Sequence, residues 1–386
     1  MPFLGELIEI KGGGTPSKKV PEYWGGSIPW ASVKDFKSSV LSSTADSITD
    51  LGVENSATSV IPAGTIVVPT RMALGKVAIT AVDMAINQDL KALLINNEQV
   101  LDKNYLLRFL ESQAGEIEKH GKGATVKGIT LDVLRGLEIP LPPLAEQKRI
   151  AAILDKADAL RRKRQQAIDF ADQFLRSVFL EMFGDPVTNP KGWEVKNISE
   201  ACLEIVDCVN RTAPVVDYET PYKMIRTTNV RNYEIDLSTV RYVEKESYEK
   251  WTRRLLPMKG DIVFTREAPA GEAGIIETAE LVFLGQRTMH FRPDFSKVTS
   301  EFLLFELMGS GIKNQISRMS TGSTVKHLSV PECKKFNIRM PPIEVQKRFS
   351  VVVKQLKESR SGFLTSQKCI NEYFNSVSQQ AFSGEL

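Results

Sequence analysis

The chain has 386 residues, enough for two or three domains each with its own core. Hydrophobic residues make up 42% and charged residues 25%, and no run of about 18 uncharged apolar residues exists to cross a membrane. A net charge of +3, three histidines and four cysteines (Cys202, Cys208, Cys333, Cys369) without a C-x-x-C pair argue against bulk attraction to nucleic acid, histidine-rich metal chemistry, a disulfide framework and a zinc site.

The opening segment, with Glu6 and Glu9 and no cationic stretch before an apolar run, does not read as a secretory leader, and a cytoplasmic location is expected. Residues 1 to about 141 carry short β-branched runs broken by Gly, Pro, Ser and Asn. Ile28–Trp30, Gly64–Val68, Lys76–Thr80 and Ala92–Ile95 read as strands, and Asn104–Lys119 has helical spacing. Pro140-Leu-Pro142-Pro143 then stops the last strand and opens a helix. From Ala145 to Phe183 there is no proline or glycine, and Gly184–Gly192 is turn-rich. Further on, Lys223–Arg226, Gly260–Phe264, Gly274–Ile276 and His290–Arg292 read as strands, and Glu301–Arg318 as their companion helix.

The chain repeats itself. Gly123-Ala-Thr-Val-Lys-Gly-Ile-Thr130 matches Gly322-Ser-Thr-Val-Lys-His-Leu-Ser329, and Pro142-Pro-Leu-Ala-Glu-Gln-Lys-Arg149 matches Pro341-Pro-Ile-Glu-Val-Gln-Lys-Arg348, both shifted by 199. Pro62–Arg71 resembles Pro257–Arg266 at a shift of 195 or 196, and Asn87-Gln88 aligns with Gly285-Gln286 at 198. One unit of roughly 190 residues is used twice. The likeness fades between Trp30 and Val60 and in the counterpart, as a shared scaffold with a divergent insert would.

Both helical segments show alternating three- and four-residue spacing. The first seam reads Ile150, Ile153, Ala157, Leu160, Arg164, Ala167, Ala171, Phe174, Val178; the second reads Phe349, Val352, Leu356, Ser359, Phe363, Ser366, Ile370, Tyr373, Val377. Each helix would be roughly 58 Å long at 1.5 Å per residue. The two seams are expected to pair with each other, leaving Leu154, Ile168, Leu175 and Phe179 for other subunits. The expected fold is α+β: two pseudo-twofold-related globular α/β domains joined by two long helices forming an antiparallel coiled coil.

Catalytic signatures are missing. There is no P-loop, no G-x-G-x-x-G after a strand, no G-x-S-x-G, no H-E-x-x-H and no Asn-Pro-Pro-Tyr motif, and Gly12-Gly-Gly-Thr-Pro-Ser-Lys18 has the spacing of a turn. Binding residues are easier to nominate. Arg71 and Arg266 close equivalent strands ahead of glycine-bearing loops, where a guanidinium reaches a groove edge, a phosphate or a local acid. Lys122, Lys127 and Lys326 lie in Gly-Thr-rich turns suited to phosphate oxygens, Lys76 follows the Arg71 loop, and Lys18 and Lys19, with Lys11, form a weaker patch. Lys148, Arg149, Lys156 and Arg161–Arg164 cluster on the first helix, as a solvated face or a contact.

These residues together resemble the specificity subunit of type I restriction–modification systems. The signals are Gly14-Thr-Pro-Ser17, Ile28-Pro-Trp30, the arginine–glycine loop at Arg71, and the Gly-Ala-Thr-Val-Lys block. The Pro-Leu-Pro-Pro-Leu-x-Glu-Gln-Lys-Arg-Ile opening of a long helix, Met182-Phe-Gly-Asp-Pro186 and Ala381-Phe-Ser-Gly-Glu-Leu386 complete them. Arg339-Met340 in place of Pro140-Leu141, and Glu344-Val345 in place of Ala145-Glu146, depart from the pattern. The resemblance implies target-recognition domains at 1–143 and 193–342, long helices at 144–184 and 343–386, and a linker at 185–192. It implies double-stranded DNA as ligand, each domain reading one half of an asymmetric bipartite target, and no catalytic role. It further implies two methyltransferase subunits and endonuclease/translocase subunits as partners, which hold S-adenosylmethionine, ATP and Mg²⁺; this chain is expected to hold none. A rival reading is a coiled-coil scaffold whose globular ends bind proteins.

Overall fold

The β-branched runs pair into sheets, and each double-proline boundary opens a long helix. The computed structural model describes every residue except 124–125, 210, 268, 320–327 and 384–386. It divides into two compact units: Met1–Gln166 with the chain from Leu364 onward, and Ala167–Phe363. Both boundaries fall inside the long helices, Leu144–Phe183 and Ile343–Ser383. Each unit therefore owns one globular domain, part of one long helix and the complementary part of the other. The change from domain to helix near 143 and 342 is a change of secondary structure within a unit.

The first unit contains β1 (Ile8–Gly12), β2 (Trp24–Ala31), β3 (Val40–Leu41), β4 (Asp46–Ile48), β5 (Val60–Ile61), β6 (Ile66–Pro69), β7 (Ala78–Thr80), β8 (Met84–Ile86) and β9 (Leu90–Ile95). They form two sheets, in the orders β1-β9-β6-β7-β3 and β4-β2-β8-β5. The helical stretch after them breaks into Lys103–Ser112 and Ala114–Lys119. Its core joins Ile66, Tyr105 and Phe109 to Ile150, Leu154 and Ala157 of the first long helix and Phe374, Val377 and Ala381 of the second.

The second unit contains β10 (Val195–Asn197), β11 (Cys202–Asp207), β12 (Tyr222–Ile225), β13 (Val230–Arg231), β14 (Glu234–Ile235), β15 (Arg241–Tyr242), β16 (Ile262–Thr265), β17 (Ala273–Ile275), β18 (Leu281–Leu284), β19 (Thr288–Pro293) and β20 (Asn337–Arg339). Its main sheet, β11-β19-β16-β17, repeats β1-β9-β6-β7 of the first unit. Here the core is aromatic: Phe179 and Phe183 of the first long helix pack on Phe349 of the second at ring separations of 5.3 and 5.5 Å. In the first unit the early part of the first helix meets the late part of the second. In the second unit the late part of the first meets the early part of the second. The pairing is antiparallel in each.

One repeated contact explains the repeated Pro-Pro-x-x-x-Gln-Lys-Arg motif. Buried Gln147 accepts from the Asp102 backbone N–H at 2.9 Å and donates to the carbonyls of Val100 and Pro142 at 2.8 and 2.9 Å. Buried Gln346 accepts from Thr299 at 3.0 Å and donates to Lys297 and Pro341 at 3.1 and 2.8 Å. Asp102 and Thr299 are N-caps of the equivalent domain helices. A single amide thus ties the first turn of each long helix to the domain beside it, and satisfies backbone groups that burial would otherwise strand.

The seams differ from the sequence reading by one residue at every second position. The covered rows are Ile150, Leu154, Ala157, Arg161, Arg164, Ile168, Ala171, Leu175, Val178 and Phe349, Val353, Leu356, Arg360, Phe363, Gln367, Ile370, Phe374, Val377. Leu154 is 0% exposed, whereas Leu160 is 59% and Phe174 54% exposed. Ile153 and Val352 are half-buried at the flank. Leu154, Ile168 and Phe179 are therefore inside, and Leu160, Phe170, Phe174 and Leu180 face outward. The cause is composition: the true seam holds Arg161, Arg164, Arg360 and Gln367, residue types whose long stems can cover apolar surface. Arg360 pairs with Asp172 at 3.1 Å, and Gln367 Nε2 donates to Asn371 at 3.1 Å. Arg161 lies 4.7 Å over the Phe374 ring and bonds Asp158 at 2.6 Å.

Candidate nucleic-acid interface

In the first unit the Gly-rich segment after β1 is a pinned turn. A Cβ at Gly13 would meet the Ile86 carbonyl oxygen at 2.1 Å, so only glycine permits this approach. The Trp30 indole donates to the Gly14 carbonyl at 3.0 Å and the Trp24 indole to Ser17 at 3.2 Å. Lys18 sits 5.9 Å over the Trp24 ring, and both Lys18 and Lys19 are exposed. The Thr15 hydroxyl donates to Gln88 Oε1 in the turn between β8 and β9.

Arg71 follows β6 with its side chain 60% exposed, 3.7 Å from Asp89. Met72 has φ 67° and its N–H donates to the Lys127 carbonyl at 3.0 Å. Two 2.9 Å backbone bonds join Lys122 and Gly128, and the Ile129 N–H reaches the Thr70 carbonyl at 3.0 Å. These bonds lay Lys122 and residues 127–129 along the end of β6, so the exposed Arg71, Lys122 and Lys127 surround Gly128. Lys76 is occupied elsewhere: its ammonium donates to the Phe36 carbonyl at 3.1 Å and lines a separate cleft of about 520 Å³ with Arg161 and Arg162.

The second unit places its residues differently. Arg266 is only 8% exposed, with Nη1 on the Leu328 carbonyl at 3.2 Å and, among the described residues, no partner for Nε. A buried guanidinium held by a carbonyl does not offer a reading surface, and the equivalence with Arg71 fails. The ladder explains why. Pro69 pairs with Leu90, so Thr70 and then Arg71 face Asp89 and Gln88. Thr265 pairs with Thr288, so Arg266 and then Glu267 face Arg287 and Gln286. The turns Gln88-Asp89 and Gln286-Arg287 hold the same place in the fold. The Thr-Arg match is therefore slipped by one ladder position, and a one-residue slip sends a side chain to the opposite face. Arg266 occupies the inward place of Thr70, and Glu267 the outward place of Arg71. Lys326 lies outside the described residues.

The basic cluster of the first long helix is partly consumed internally. Asp158 accepts from Arg161 at 2.6 Å and lies 3.3 Å from Arg162 and 3.4 Å from buried Arg108, while Arg149 pairs with Glu146 at 2.7 Å. Among the described residues no group of three or more His, Cys, Asp or Glu side chains could hold a metal ion. No helix among them is long and apolar enough to cross a membrane.

The family model described as "Type I restriction modification DNA specificity domain" matches twice, over residues 2–169 and 190–367. The chain belongs to the type I restriction–modification specificity family. It is a DNA-sequence recognition subunit, and members of this family do not carry the catalytic function. The specificity subunit of the Escherichia coli type I enzyme EcoR124I/EcoR124II is 41% identical over 164 residues, 41% of this chain and 40% of that protein. The MjaIX specificity subunit of Methanocaldococcus jannaschii is 23% identical across 92% of this chain and 86% of that one. The fold is shared with the solved specificity subunit from M. genitalium (TM-score 0.58, 15% identity, 98% of this chain and 95% of that chain). It is also shared with a chain solved in work on assembly and conformational transition of the type I R-M system (TM-score 0.55, 16% identity, 100% and 97%).

Proposed function

We propose that each unit reads one half of an asymmetric bipartite DNA target and that the antiparallel helices set the spacing between the halves. The observation that carries this reading is the repeated sheet with a different set of basic residues at its edge in each copy: Arg71, Lys122 and Lys127 in the first, Arg287 in the second. One scaffold with two different edges suits one target with two different halves. Long helices of 40 and 41 residues are each about 60 Å in length, enough to span more than one turn of duplex.

Methylation and cleavage belong, in this reading, to two methyltransferase subunits holding S-adenosylmethionine and to ATP- and Mg²⁺-dependent restriction subunits, all in the cytoplasm. The outward Leu160, Phe170, Phe174 and Leu180 are apolar area for such partners to cover. The test is to assemble the chain with its methyltransferase subunits, map methylated positions genome-wide, and measure DNA affinity against salt. A split motif with salt-dependent, sequence-selective binding is expected. A protein-binding scaffold would give neither. Arg71→Ala should relax one half of the motif, and Arg266→Ala should act through stability, without preference for either half.

A further inference from the structure

The two units share a side-chain pair that the basic residues do not include. In the first, the Thr15 hydroxyl donates to Gln88 Oε1 across 73 residues of sequence. In the second, Thr212 donates to Gln286 Oε1 at 3.3 Å across 74. Both threonines come from the segment after the first strand of the sheet, β1 or β11, and both glutamines from the turn that leads into β9 or β19. Gln88 is exposed and Gln286 half-exposed. A surface glutamine has many rotamers, and fixing one costs entropy that an isolated solvent-facing bond does not clearly offset. Keeping this geometry in two copies whose neighbouring sequence has diverged points to a use for the oriented amide.

The ion pair next to each glutamine is reversed. Arg71 lies 3.7 Å from Asp89 in the first unit, and Arg287 lies 3.2 Å from Glu267 in the second. By ladder register Asp89 and Arg287 share one place, as do Arg71 and Glu267. Each glutamine thus has one guanidinium beside it, but from opposite strands of the turn. Arg287 is held there with φ 69°, a left-handed backbone that an arginine adopts at a cost.

We infer that Gln88 with Arg71, and Gln286 with Arg287, are the base-reading edges of the two units. This rests on the DNA-reading function proposed above. A glutamine amide pairs with both the N6 donor and the N7 acceptor of adenine, and a guanidinium with O6 and N7 of guanine. Thr15 and Thr212 are positioning residues that aim the amide. The second unit's reading arginine is Arg287, while Arg266 is a buried structural cation.

The test uses the full chain assembled with its methyltransferase subunits. Gln88→Ala and Gln88→Glu should each lower discrimination at one base pair of one half-site by about five- to a hundred-fold, leaving the other half-site unchanged. Gln286→Ala should do the same in the other half-site. The near-isosteric Gln88→Glu keeps a hydrogen-bonding side chain in the turn, so its melting temperature should match wild type. Thr15→Val should relax the same base pair as Gln88→Ala, more weakly. If the wild-type complex discriminates and these glutamine variants keep its motif, or weaken all DNA equally, the inference is overturned and the function stands. A folded wild-type complex with no sequence preference overturns the function and this inference together.

Discussion

Both units seat the end of a long helix on aromatic rings, Phe183 on Phe302 at 4.8 Å in the second, but the second adds an ion pair that the first lacks. In the second unit Arg339 is buried against Glu306 and donates to the carbonyls of Phe183 and Gly184 at 2.8 and 2.7 Å, closing the last turn of the first long helix. The equivalent position in the first unit is Pro140, and Phe382 near the end of the second long helix packs on Tyr105 and Phe109 at 5.3 and 5.5 Å. An apolar seat loses stability in proportion to the contacts removed. An ionic seat fails abruptly, because removing one partner strands the other charge in a dry environment.

The largest effect expected from this contrast is at Arg339. Arg339→Ala should cost the second unit about 3–5 kcal/mol, whereas Phe382→Ala, half-buried, should cost the first unit about 2 kcal/mol. Denaturant unfolding followed by hydrogen exchange in each unit separates the two. Equal losses would mean that the ionic seat is no more brittle than the aromatic one. The double variant Arg339→Met, Glu306→Gln should recover much of the loss, since it removes the uncompensated charge.

The revised seam gives the next test. Leu154→Ala should cost about 2–5 kcal/mol and Leu160→Ala no more than about 0.5 kcal/mol. The reverse ranking would restore the seam read from the sequence.

The clamps test how alike the units are. Gln147→Ala and Gln346→Ala each remove three hydrogen bonds to backbone groups and should destabilise their own units by similar amounts, about 2 kcal/mol. A large loss at only one of them would break the equivalence.

The smallest expected effect is confined to acid. In the second unit buried Asp261 accepts from His290 at 2.6 Å and from Arg292 at 2.7 Å. Burial pushes its carboxyl up, but the bonds from His290 and Arg292 outweigh burial and hold it below the ordinary aspartate value. The folded state therefore binds this proton less readily than the unfolded chain. The pair's stabilisation is complete above the ordinary aspartate pKa and is lost as pH falls through the lower folded value. Asp261→Asn should flatten the acid limb of second-unit stability; an unchanged limb would assign acid sensitivity to other carboxylates.

Much of this architecture is legible in the chain. Ala145–Phe183 lacks proline and glycine, and the repeated Pro-Pro motif marks both helix starts, so both helices can be placed from residue type alone. The exact seam cannot, because Leu160 and Phe174 are apolar yet outward, and Arg360 is charged yet largely covered. Periodicity counts polarity, and a long stem with a paired head defeats that count. Arg266 misleads for a related reason: the Thr-Arg match is real in sequence but one place out of register in the ladder. The Thr15–Gln88 pair joins segments 73 residues apart, and only the shared shift of Gln88 and Gln286 hinted at it.

Two different reading edges held on one frame should be visible in a genome-wide map of methylated positions. The complex should be compared with one whose chain carries one added heptad in each long helix. Seven residues add about 10.5 Å, or about three base pairs at 3.4 Å each. The lengthened variant should keep the same two half-sites, lose some activity from the accompanying turn around the duplex, and carry an unread spacer longer by about three base pairs. An unchanged spacer would mean that the helices do not set the separation of the two half-sites.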